Sequence, residues 1–160
     1  MDTCRLFLQK VLLSISLLAA GMPAALAQLT EEPISTQKWK NWGQVKTIGV
    51  AKASLDYKTN AADTSFLLVL EDERKELHNF FTIRFSSQGN TLDHLYNILQ
   101  SFFEKENWNN KAYIRIFTLG DTKITVYKAA GLVQLKTLQL SCDKGRIRLT
   151  KNEINQLFNK

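Results

Sequence analysis

The sequence predicts an α+β fold, an antiparallel sheet of about six or seven strands with two helices on one face. Three observations carry this. Short runs alternate apolar and polar residues at a period of two, tight-turn residues separate those runs, and only two stretches place apolar residues at helical spacing. A weak internal echo suggests two halves: residues 82–85 and the helix after them resemble residues 146–149 and the helix after those. The fold would then be two β-meander-plus-helix halves.

Residues 1–27 have the three parts of a cleavable export signal. Arg5 and Lys10 make a basic start, residues 11–20 are apolar, and Ala25-Leu26-Ala27 puts small residues where a signal peptidase reads them. The apolar run is shorter than the roughly 20 residues that span a bilayer, and Pro23 follows it. No cysteine follows the cleavage position to carry a lipid. The mature protein is therefore expected to be secreted or periplasmic, with no stable membrane insertion. Residues 28–42 form a polar lead-in containing Pro33, and residues 43–160 a single α+β domain.

Within that domain, residues 45–55 suggest a strand with Gly49 as a bulge. Residues 57–64 are a loop, and residues 65–70 make a continuous apolar run after Ser65, as in a strand buried on both faces. The charged stretch 71–75 makes a hairpin connection. Phe81, Ile83 and Phe85 then alternate with Thr82 and Arg84, the pattern of a half-buried strand. Thr91 is placed to cap a helix, whose stripe is Leu92, Leu95, Tyr96, Leu99, Phe102 and Phe103. Residues 107–110, with Trp108 among them, end it.

The second half repeats the theme. Ile114 and Ile116 alternate with Arg115, Gly120-Asp121 turns the chain, and Ile124 and Val126 follow. Residues 132–142 read as a strand whose phase slips between Leu135 and Leu138, which predicts a bulge. Residues 143–145 turn into Ile147 and Leu149. Thr150 caps a last helix carrying Ile154, Leu157 and Phe158.

Loss of the signal removes Cys4 and leaves Cys142 alone, so no internal disulfide holds the domain. A chain of this length can instead stabilise itself by core burial, and Cys142 reads as a small buried hydrophobe at a strand end. The formal charge of +6 falls to +5, with 19 basic and 14 acidic residues remaining. Residues 28–104 carry −2 and residues 105–160 carry +7. A basic second half suits an acidic partner.

No catalytic motif is present, and no catalytic, metal or cofactor site is expected. His78 and His94 are the only histidines, and their spacing to Glu76 and Asp93 matches no ligand set. Two features point to binding. Residues 38–42 place Trp39 and Trp42 among lysines; Trp42 reads as a staple onto the sheet, while Trp39 suits stacking on a ligand equally well. Arg115, Arg146 and Arg148 occupy outward positions of strands whose other faces read as buried, so neighbouring strands would make them one guanidinium patch.

The expected function is that of a small exported, non-catalytic binding protein, an inhibitor or immunity-type protein or an accessory subunit of an envelope or surface assembly. Its partner would be another exported or surface protein, acidic in character. The alternative is a ligand-binding or enzymatic domain with a pocket between sheet and helices. Nucleic acid suits the charge but not export.

Overall fold

The computed structural model describes residues 38–60, 63–74, 79–129 and 135–160, all within the unit Thr36–Lys160. The expected signal, residues 28–37 of the lead-in, Glu76, His78 and residues 132–134 lie outside them. Each half of the domain is a four-stranded antiparallel meander closed by helices. The first sheet runs β1 (Lys40–Thr47), β2 (Val50–Asn60), β3 (Asp63–Glu71) and β4 (Phe80–Ser86), in that order. Helices α1 (Thr91–Ser101) and α2 (Lys105–Asn109) follow. The second sheet runs β5 (Ile114–Leu119), β6 (Thr122–Lys128), β7 (Thr137–Ser141) and β8 (Arg146–Thr150), and α3 (Lys151–Phe158) ends the chain.

The fold class is therefore α+β with two meander halves, but with eight strands in two sheets. The added strand comes from residues 45–55, which are not one strand. Ile48 and Gly49 have φ of 51° and 81°, so they form a two-residue hairpin turn with both central residues left-handed. Ile48 is a β-branched residue in that conformation and is fully exposed. The bulges lie elsewhere, in β1 between Asn41 and Gly43 and between Val45 and Lys46. β1 also takes the last residues of the expected lead-in.

Two further local expectations change. Thr91 does not cap α1: Asn90 is the cap residue, without a side-chain bond, and the Thr91 hydroxyl donates back to the Gln88 carbonyl. Residues 137–141 pair with β6 and β8 without a bulge, and Leu135 lies exposed before the strand begins. The slip in phase marks a strand end. Thr150 does cap α3, in a reciprocal box: its hydroxyl accepts from the Glu153 amide, and the Glu153 carboxylate accepts from the Thr150 amide.

The core is one cluster drawn from both halves. Strand register lines up Leu55, Leu68 and Ile83 in the first sheet and Val126, Leu140 and Ile147 in the second. Leu95, Leu99 and Phe102 from α1 and its end, and Ile154, Leu157 and Phe158 from α3, are buried with them. Cys142 packs on this cluster half-buried. α3 reaches the first sheet through Gly43, which has no side chain to keep the Gln156 and Leu157 carbonyls away. Trp42 indole Nε1 donates to the Phe158 carbonyl at 3.1 Å, and Lys52 pairs with Glu153 at 2.9 Å. Trp42 thus acts as the expected staple, its ring set edge-on against Tyr57 and Phe66.

Asp72 joins the two halves. Its side chain is 3% exposed and accepts from Arg74 Nε and Nη2 and from the amides of Arg74 and Arg146. Those donors, the Arg74 guanidinium foremost, hold its carboxyl well below the usual carboxylate range. A carboxyl lowered on folding stabilises fully above its unfolded value of about 3.9, and this contribution fades as pH falls below that. Asp72→Asn is therefore expected to melt below wild type at neutral pH, with a gap that narrows as pH drops below about 4. Thermal unfolding across pH measures it, and a gap constant down to strong acid would refute the charge-based role.

Candidate functional site

The first sheet turns one face to the core and the other outward. On the outward face, register aligns Asn41, Asp56, Leu67 and Arg84 in one row, and Lys58, Ser65 and Ser86 in the next. Trp39, just before β1, lies over this face half-buried. The Lys58 ammonium stands 5.2 Å from its ring centroid and the Arg84 guanidinium 5.8 Å. One ring thus gathers cations from β2 and β4 across the intervening β3. Each such contact contributes about 0.5–1 kcal/mol at an exposed site, enough to bias two long side chains toward one arrangement.

Beside this cluster is a surface hollow of about 270 Å³, lined by Lys38, Lys40, Tyr57, Lys58 and Thr59. Three of those five side chains are ammoniums and none is acidic. The acids of the same sheet are engaged: Asp56 accepts from Asn41 Nδ2 at 2.8 Å and Ser54 Oγ at 3.1 Å, and Asp63 accepts from Ser87 Oγ at 3.0 Å. The cluster is a cationic surface with aromatic rings set in it, suited to carboxylates that arrive with apolar neighbours.

The arginine triad is not assembled. Arg146 and Arg148 share the outward face of β8, but Arg115 belongs to the opposite face of the second sheet. The two-residue Gly120-Asp121 turn pairs Leu119 with Thr122, which sets Arg115 opposite Val126 in the row that continues to Leu140 and Ile147. Ile114 and Ile116 are the outward residues, 53% and 61% exposed, and Arg115 sits over the Tyr113 ring at 5.7 Å. The parity of 114–116 is opposite to that expected from alternation, because the core contacts of β5 come only at Phe117 and Leu119. Arg148 is also already paired, 3.6 Å from the Glu73 carboxylate and within 3.5 Å of Gln139 Oε1. Arg146 Nε is buried without a hydrogen-bond partner among the described residues.

Sequence reasoning found Trp39, Lys38 and Lys40 but missed Lys58 and Arg84. Each of the two stands alone in an alternating strand, and no local pattern reports that they converge on one ring. His94 lies exposed on α1 and is not among the residues of the Trp39 cluster or its hollow. Comparison with known proteins finds no match for this chain among family models, curated proteins or solved structures.

Proposed function

We propose that the mature chain is an exported, non-catalytic binding protein that engages an acidic exported or surface protein through the Trp39 cluster. Inhibitor or immunity-type binding and membership of an envelope or surface assembly both fit this reading. The observation that carries it is the convergence of Lys58 and Arg84 on Trp39, beside a hollow lined by Lys38 and Lys40. Aromatic and arginine side chains held in a preset arrangement are the residues that dominate binding energy at protein interfaces. The export signature of residues 1–27 supports the compartment. The filling of the space between sheets and helices by Phe102, Phe158 and their neighbours favours a surface contact over an enclosed pocket.

The test uses the partner captured from culture fluid or envelope by the tagged mature protein. Trp39→Ala is expected to weaken its binding by about tenfold or more, because it removes the ring and releases both cations. Lys58→Gln with Arg84→Gln should weaken binding less and reduce its salt dependence, since exposed charges are screened beyond about 10 Å at 0.1 M salt. Wild-type affinity in all of these variants would sink the proposal.

A further inference from the structure

Four strand edges bound the two sheets, and that of β8 is closed by hydrogen bonds. α3 lies on the inner face of β1, where Gly43, paired with Leu55 in the core-facing row, meets the Gln156 and Leu157 carbonyls. The edge of β4 is met at the Arg84 carbonyl by Gly120, whose φ of 60° and missing side chain allow the approach. The edge of β8 is capped group by group. The Arg146 amide donates to Asp72, the Arg148 amide to Glu73 at 3.0 Å and the Thr150 amide to Glu153 at 2.7 Å, while the Arg146 carbonyl accepts from the Glu73 amide. Open edges invite pairing with other chains, and the edge of β8 is closed to it.

β5 is the fourth. Because Leu119 and Thr122 flank a two-residue turn, they form a hydrogen-bonded pair, and antiparallel alternation then turns the amides and carbonyls of Ile114, Ile116 and Thr118 away from β6. Among the described residues no hydrogen bond reaches those groups on that side. α1 runs beside this edge. Between helix and strand is a hollow of about 190 Å³, with Thr91, His94 and Ile98 on one wall and Phe117 and Thr118 on the other.

We propose that the β5 edge is a strand-addition site, which takes one extended, acidic segment of a partner protein into the space beside α1. Main-chain bonds to Ile114, Ile116 and Thr118 supply the register, and alternate side chains of the segment meet Ile116 outside and Phe117 inside. A second copy would bring the same basic half, residues 105–160 at +7, against this edge. Charge selects the composition: no acid lines the hollow, Arg115 stands exposed on the strand, Lys123 pairs with Thr118, and residues 105–160 carry +7. This site is on the second sheet and does not rest on the Trp39 reading.

The probes are peptides of about ten residues with valine at alternate positions and glutamate between, in three forms: unmodified, N-methylated at every valine, and N-methylated at every glutamate. Added to the mature protein, the unmodified peptide is expected to slow hydrogen exchange at Ile114, Ile116 and Thr118. One of the two methylated forms, the one whose methyls face β5, should bind at least about tenfold more weakly than the other. Ile116→Pro removes an outward amide without breaking a β5–β6 bond, and should weaken binding similarly. If that variant fails to fold, the methylated peptides on the wild-type protein decide. The proposal is overturned if millimolar peptide leaves the β5 amides unprotected, or if protection survives both methylations equally. A wild-type dimer that Ile116→Pro dissociates would also overturn it, by making the occupant a second copy.

Discussion

Gly43→Ala is expected to strip α3 from the first sheet, at a cost at or above the top of the about 1–3 kcal/mol that overpacking ordinarily takes. A β-carbon at this position would stand 2.5 Å from the Gln156 carbonyl oxygen and closer still to that of Leu157. Both obstacles are backbone, so no side chain can rotate aside. Relief requires α3 to move off β1, which would expose Leu157 and Phe158 and break the bond from Trp42 to the Phe158 carbonyl. Urea unfolding gives the loss, while Trp42 fluorescence and hydrogen exchange in α3 locate it. Gly49→Ala separates this from a general cost of replacing glycine. Its β-carbon would meet nothing, and its φ of 81° costs only the roughly 1–2 kcal/mol of a left-handed residue. That variant should leave the α3 probes unmoved. A Gly43→Ala protein whose α3 amides stay protected would show that the seat can yield.

Parts of this architecture were legible because they are local. The α1 stripe repeats at the helical period, and Leu95 and Leu99 are buried as that period requires. Thr150 and Glu153 stand three apart, the spacing of the reciprocal cap they form. What escaped was set by partners far away in sequence. Asp72 and Glu73 lie in a stretch legible only as a charged connection, yet they close the edge of β8 more than 70 residues later. The parity of Arg115 follows from the turn that pairs Leu119 with Thr122, together with a core that ends before Ile116, and neither is marked by alternation alone. The same holds for the candidate surface. Trp39 is conspicuous in a lysine-rich stretch, whereas Lys58 and Arg84 become part of a site only once β2 and β4 flank β3.

Leu99→Ala is expected to cost about 2–5 kcal/mol, the range for truncating a buried leucine. Leu99 is 1% exposed on the inner face of α1, with Leu95 one turn before it and Phe102 after it, both also buried. The truncation loses apolar burial, and the hole it leaves is hard to refill. Tyr113 sets its ring edge-on against Phe102 at 4.7 Å, and the Tyr113 hydroxyl bonds with Ser101 at 3.1 Å, so the end of α1 is tied in place. On the far side, Asn155 of α3 accepts from Tyr96 at 3.1 Å and from Gln100 at 2.8 Å, which fixes the distance between the two helices. A helix held at both flanks cannot slide inward to close a cavity, which places the cost toward the upper part of the range. Asn97→Ala, on the exposed side of the same helix, should change stability by no more than about 0.5 kcal/mol. Chemical denaturation of the two variants side by side measures the contrast. Equal midpoints would mean that α1 does not present Leu99 to the core.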